Sequence, residues 1–90
     1  MMSIVKIENV VGQGKIWFNL DTLISIQIIQ TVDLVEDKDE SIRDLFDQLK
    51  SKTDPLVQIE WAKGPESGKF FVEGFEDEKS ATKFIEYELL

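Results

Sequence analysis

The sequence predicts an α+β fold: a mainly antiparallel five-stranded sheet with two amphipathic helices, in the order βββαββα. Three observations predict it. Apolar and polar residues alternate along five short segments, which is the period of a β-strand. Apolar residues recur every three to four positions in two further segments, which is the period of an α-helix. The negative charge of the chain also lies in these two helical segments.

The distribution of charge separates the predicted strands from the predicted helices. Acids and bases cancel within residues 1–32 and again within residues 55–72, whereas residues 33–54 and 73–90 each sum to −4. The two acidic segments therefore account for the whole net charge of −8. We expect a neutral sheet that carries two acidic helices.

Three strands are predicted in the first third of the chain, over residues 3–11, 15–20 and 23–32. The glycines at positions 12 and 14 permit a tight reversal between the first two strands. Polar residues at 19–22 form the second turn. Because connections this short cannot carry a parallel crossover, we expect the three strands to form an antiparallel meander.

The first helix is predicted downstream of Asp37 or Asp39, either of which can cap its start. Lys50 and Lys52 stand in its last turn, on the side that the helix dipole favours. Pro55 ends it, because the residue before a proline is pushed away from helical angles. The apolar stripe of this helix consists of Ile42, Leu45, Phe46 and Leu49.

The rest of the chain predicts two strands and a closing helix. The strands cover residues 56–62 and 69–75, with a turn over 64–68 between them. The second helix runs over 76–90, with three acids in its first turn. Its apolar stripe contains Ala81, Phe84 and Ile85.

Length and composition limit the class of protein. Ninety residues predict a single domain over 1–90, with no disulfide because the chain has no cysteine. The start of the chain alternates apolar and polar residues and lacks the continuous apolar stretch of a signal peptide. The isoelectric point of about 4.4 disfavours binding to nucleic acid or to anionic membranes. We therefore expect a cytoplasmic protein that binds neither directly.

The residue types that are missing argue against catalysis. Without histidine or cysteine, the chain cannot form a Ser-His-Asp or Cys-His nucleophile or an ordinary zinc site. The glycines at 12 and 14 precede a predicted strand and lack the spacing of a phosphate-binding loop. The acidic run 33–40 has no central glycine, so it does not fit a calcium loop. We expect no enzyme, no cofactor and no metal.

Both faces of the predicted sheet carry large apolar residues, which leaves two arrangements open. Either one helix covers each face, or both helices cover one face and the other face meets a partner. In the second arrangement, Trp17 and Phe71 would anchor a homodimer or a protein partner, because aromatic residues dominate such interfaces. The possible partner interface consists of Trp17, Leu56, Phe71 and Phe75, which alternate away from the main apolar face.

The sequence thus favours a small non-enzymatic protein-interaction or regulatory domain that acts through an apolar sheet face or through its acidic helices. One alternative is an inhibitor whose acidic helices imitate the phosphates of nucleic acid and occupy a basic groove on a nucleic-acid-binding protein. The segment from Gly14 to Ile26, about a seventh of the chain, resembles the opening of the small flagellar FlbD-like proteins, which also run strand, asparagine-containing turn, strand. This resemblance implies no function for the chain, since the residues are general strand and turn formers.

Overall fold

The computed structural model describes residues 3–50 and 54–90 and confirms an α+β fold with an antiparallel five-stranded sheet. The described chain has three short α-helices where the sequence predicts two. The strands are β1 (Ile4–Val10), β2 (Gly14–Asn19), β3 (Leu23–Ile29), β4 (Leu56–Lys63) and β5 (Glu66–Val72). The helices are α1 (Val32–Val35), α2 (Glu40–Asp44) and α3 (Glu78–Phe84).

The order of the strands in the sheet is β2-β1-β5-β4-β3, so the predicted meander is wrong. Only β1 and β2 form the expected hairpin, and β3 pairs with β4 at the opposite edge. Pairing with β4 also places the apolar residues of β3 on an apolar face, because Ile26 and Ile28 lie opposite Ile59 and Val57. The alternation of residues along a strand predicts which side chains face the core, but it does not predict which strand lies beside it.

The short link between β2 and β3 requires a strongly curled sheet. A flat five-stranded sheet would hold its edge strands about 19 Å apart, four steps of about 4.8 Å. The link is the 3₁₀ turn Leu20–Thr22, and four residues span at most about 14 Å even when extended. The sheet therefore curls until its two edges approach each other.

The curl is possible because β1 and β5 pair over a short stretch. Val10 lies opposite Val72, and the flanking bonds run from the Val11 N–H to the Phe71 carbonyl and from the Glu73 N–H to the Asn9 carbonyl, each 2.9 Å. Beyond this junction, the β1–β2 hairpin folds over the inner face of β4 and β5.

The predicted helix after Asp37 is broken into pieces. Asp39 caps α2, but the helix ends at Asp44 and continues only as the 3₁₀ turn Leu45–Gln48. Leu49 is already extended, and the Lys50 N–H donates to Glu73 Oε1 at 2.8 Å. This bond to a buried carboxylate holds the backbone of Lys50 outside the helix. Lys52 lies outside the described residues.

The boundaries of three other elements also differ from prediction. The third strand ends at Ile29, and Val32–Val35 forms α1 instead of continuing it. The turn between β4 and β5 is only Gly64 and Pro65, so β5 starts at Glu66 and ends at Val72. Phe75 therefore lies after the strand. The α-helical part of the closing helix ends at Phe84 and is followed by the π turn Ile85–Leu89.

Two apolar clusters lie on opposite faces of the sheet, which is the arrangement with helices on both faces. The α3 core lies inside the curl and consists of Ile7, Val10, Phe18, Val57, Ile59, Phe70, Val72, Ala81 and Leu89. The α2 core lies on the other face and consists of Val11, Leu34, Ile42, Leu49, Leu56 and Phe71. The interrupted helical segment still buries Ile42 and Leu49 of the predicted stripe.

Candidate functional site

The structure separates the four residues of the predicted interface. Leu56 is 0% exposed and Phe71 is 1% exposed, so neither is available to a partner. They lie in the α2 core because the segment from α1 to Leu49 covers their end of the sheet, as in the first of the two arrangements that the sequence left open. Phe75 packs against Phe84, with ring centroids 5.4 Å apart. Trp17 differs from all of these, because 70% of its surface is exposed.

Trp17 faces solvent because its neighbours on β2 face the α3 core. Phe18 packs edge-on against Phe70, with ring centroids 5.3 Å apart, and Ile16 lies opposite Ile7. Successive side chains of a strand point to opposite faces, so Trp17 points outward, opposite Lys6 of β1.

The outer face of the β1–β2 hairpin around Trp17 carries charged residues. Glu8 Oε1 lies 3.9 Å from Lys15 Nζ and 4.0 Å from Lys6 Nζ. All three side chains are largely exposed, and ion pairs of this kind contribute little to stability. They surround the indole of Trp17 with a polar rim.

The backbone of β2 has a free edge on the side away from β1. The Leu20 N–H donates to the Ser3 carbonyl at 2.8 Å, which marks that pair as hydrogen-bonded. Bonded pairs alternate along an antiparallel ladder, so the N–H and C=O groups of Lys15 and Trp17 point away from β1. No described strand lies on that side of β2.

A cleft of about 470 Å³ runs along this free edge. Four consecutive residues of β2, 16–19, line it. Successive side chains of a strand point to opposite faces, so a cleft on one face would be lined by every second residue. Four consecutive residues of β2 line this cleft, which therefore lies along the edge of the strand. The opposite wall is the β4–β5 hairpin, which contributes Trp61, Lys63, Gly68, Lys69 and Phe70.

The indole of Trp61 forms a flat part of this opposite wall. Trp61 and Gly68 are cross-strand partners in the β4–β5 hairpin. A Cβ atom at position 68 would lie 3.1–3.2 Å from atoms of the indole ring, closer than ordinary contact. The absence of a side chain at Gly68 therefore lets the indole lie over the neighbouring strand, as aromatic residues do opposite glycine.

The charged residues that line the cleft are lysines although the chain is acidic. These residues are Lys63 and Lys69, and no carboxylate of the described chain lines the cleft. Lys69 Nζ lies 3.0 Å from Asp37 Oδ2. The Asp39 backbone N–H and this ammonium group lower the pKa of Asp37 below its usual range. Lys63 has no ion pair with a described residue, and Glu66 is its cross-strand partner beside the turn.

Several acids of the two acidic segments have local structural roles. Asp39 accepts hydrogen bonds from the Ser41 hydroxyl and N–H, and Asp77 accepts one from the Ser80 N–H at 2.8 Å. These bonds stabilise the carboxylates, so the pKa of each aspartate is lowered. Other acids, such as Glu36 and Glu40, are exposed. Imitation of nucleic acid by these segments stays a prediction.

Sequence reasoning missed most of the cleft. It assigned no role to Lys63, because it ended the fourth strand at residue 62 and placed a turn over 64–68. Trp61 packs against the α3 core and also lines the cleft. The signal that could have located this wall is Gly64-Pro65, a pair typical of a short turn. With that turn, Trp61 and Gly68 become cross-strand partners.

Comparison of the chain with protein-family models, curated proteins and solved structures found no match. None of the helices formed by residues 3–50 and 54–90 has both the length and the apolar character needed to cross a membrane. Within those same residues, no three histidine, cysteine or acidic side chains are grouped so that they could hold a metal ion.

Proposed function

We propose that the chain is a non-enzymatic protein-interaction domain that binds a protein partner through the cleft along β2. The observation that carries this proposal is the position of Trp17, a large aromatic side chain that is 70% exposed at the unpaired edge of a sheet. Exposed aromatic residues beside a concave surface are typical of interaction sites.

The groups that line the cleft support binding more than catalysis. They are aromatic rings, two lysine ammonium groups and the polar side chains of Gln13, Asn19 and Thr22. Paired carboxylates facing a substrate are the acid–base arrangement that the sequence leaves open in a chain without histidine or cysteine. The described lining contains no carboxylate. The proposal keeps the expectation of a cytoplasmic protein, in which a partner would be met in solution.

A pull-down with quantitative mass spectrometry tests the proposal. Wild-type chain, Trp17→Ala and Tyr87→Ala are immobilised and exposed to lysate of the native host. Tyr87 is a matched control because it is 78% exposed and lies outside the cleft lining. We expect proteins captured by the wild type to be lost from Trp17→Ala and kept by Tyr87→Ala.

The expected loss is large because a tryptophan at the centre of an interface contributes about 2 kcal/mol or more, roughly a thirtyfold change in affinity. Circular dichroism confirms that both variants are folded. If Trp17→Ala retains the partners of the wild type, or if the wild type captures nothing above the level of a blank matrix, the proposal is wrong.

A further inference from the structure

We infer, on the basis of the proposed function, that the partner supplies an extended acidic segment that pairs with β2 as an added strand. In this arrangement the backbone of the segment bonds to the free edge at Lys15 and Trp17. Its apolar side chains contact the indoles of Trp17 and Trp61, and one of its carboxylates pairs with Lys63.

The first support is the geometry of the edge. The outward N–H and C=O groups of Lys15 and Trp17 form a row that an antiparallel or parallel strand can continue. The Asn19 carbonyl already accepts the Thr22 hydroxyl at 2.7 Å, so the row ends there. Gly14–Asn19 has six residues, which matches an added segment of about 20 Å.

The second support is the weak protection of this edge. Native sheets protect exposed edges with proline, with lysine and other charged side chains, with a bulge or with inward-pointing charges. Gly14–Asn19 contains no proline, its only charge is Lys15, and its inward residues are Ile16 and Phe18. The edge is therefore chemically suited to pair with another strand.

The choice of β2 over the other edge follows from the cleft. The other edge strand is Leu23–Ile29, and none of its residues lines the cleft. A segment added to β2 would be enclosed by Trp61 and Lys63 on its far side. Enclosure removes apolar surface from water on both sides of the segment.

Charge decides between a second copy of this chain and a different partner. The lining carries Lys63 and Lys69, and the one charged residue of β2 is Lys15. Pairing two copies through β2 would join two chains of net charge −8 each, and the second β2 would offer no acidic residue to Lys63. An acidic segment from another protein instead meets lysine on the wall of the cleft.

A random dodecapeptide phage library panned on the chain tests this inference. We expect enriched peptides with apolar residues on both faces of the added strand, and with Asp and Glu in excess over Lys and Arg. The best peptide is then synthesised in three forms: unmodified, with alternate backbone amides N-methylated to block strand pairing, and with each acid replaced by its amide.

The expected results are specific to strand addition. N-methylation weakens binding by at least about tenfold, and so does removal of the acids, because each eliminates hydrogen bonds or a charge-assisted bond. In hydrogen-exchange measurements by NMR, the Lys15 and Trp17 amides gain protection. Lys63→Gln weakens binding by about tenfold, whereas the matched control Lys79→Gln on α3 leaves it unchanged.

Some outcomes contradict this inference while the proposed function survives. If Trp17→Ala abolishes binding but N-methylation or Lys63→Gln has no effect, the cleft is used without strand addition or without charge recognition. Enrichment of basic peptides, or dimerisation of the chain through β2 in light scattering, also overturns it. Binding that persists in Trp17→Ala contradicts the proposed function as well.

Discussion

Two large aromatic side chains have opposite roles in this chain because of where the fold places them. Trp17 and Phe71 both alternate away from the α3 core, and the sequence treated them as equivalent anchors. The segment around α2 covers Phe71, whereas nothing in the described chain covers Trp17. Whether an apolar residue contributes to stability or to binding is therefore decided by the elements packed beside it.

Replacing each of these two residues by alanine tests this difference. Phe71→Ala should lower the free energy of unfolding by about 3–5 kcal/mol, because it removes a fully buried ring and leaves a cavity. Trp17→Ala should change it by no more than about 0.5 kcal/mol, because the indole is mostly exposed. Urea unfolding followed by circular dichroism measures both changes.

Equal destabilisation by the two substitutions would contradict the burial described for them. Phe71→Leu serves as the control, because it keeps most of the apolar volume. It should cost less than Phe71→Ala.

Among the elements, the short helices depend on their caps more than on their length. The helix α3 has seven residues, too few to be stable alone in water. It is held by Ala81 in the α3 core and begins at Asp77, whose carboxylate accepts the Ser80 N–H. The same arrangement starts α2 at Asp39. The acids that gave these segments their charge therefore also define where two helices begin.

The pH dependence of stability tests the cap at Asp77. The bonds from Ser80 lower the pKa of this carboxyl in the folded state, so the unfolded state binds its proton more readily. Its contribution to stability is complete above the unfolded pKa of about 3.9 and is lost as the pH falls below that value. Thermal unfolding between about pH 7 and pH 3 measures the loss.

Asp77→Asn isolates this contribution. Asparagine also caps helices, so the variant should keep most of its stability at pH 7 and lose less than the wild type on acidification. Asp77→Ala should be less stable at pH 7. If the melting temperatures of wild type and Asp77→Asn fall in parallel with acid, the carboxylate of Asp77 has no such role.

At the scale of the whole molecule, the protein is acidic but the charged residues that line its cleft are lysines. The net charge of −8 comes from the two segments that contain the helices, and the lining of the cleft contains only positive charges among the described residues. Because the lysines and the acids lie on different parts of the molecule, each of the two functional hypotheses uses a different surface. The proposed interaction uses the cleft, and the nucleic-acid mimic would use the exposed acids.

Salt dependence separates these two surfaces. A partner bound through Trp17, Trp61 and one pair at Lys63 should lose no more than about tenfold in affinity between about 0.1 and 0.5 M NaCl. A basic nucleic-acid-binding protein held by many carboxylates should lose about a hundredfold or more over the same range. Isothermal titration calorimetry with the captured partner measures this. A steep loss would favour the mimic.

Much of the fold could be predicted because it rests on local patterns. Alternation along β2 predicted that Trp17 points away from the main apolar face, and its indole is exposed there. The break after Asp44 could not be predicted, because the Lys50 N–H bonds to Glu73, a carboxylate 23 positions away along the chain. The cleft could not be predicted either, since Trp17 and Trp61 line it together only after the sheet curls.

The sequence by itself determined the fold class, the five strands, the faces of their side chains and the segregation of charge. Each of these depends on the spacing of residues within one segment. The tertiary structure decided which strands are neighbours, which apolar residues are covered and which edge stays open. The segment from α1 to Leu49 decides which apolar residues are covered. The link Leu20–Thr22 is too short for a flat sheet and therefore closes the curl beside Trp17.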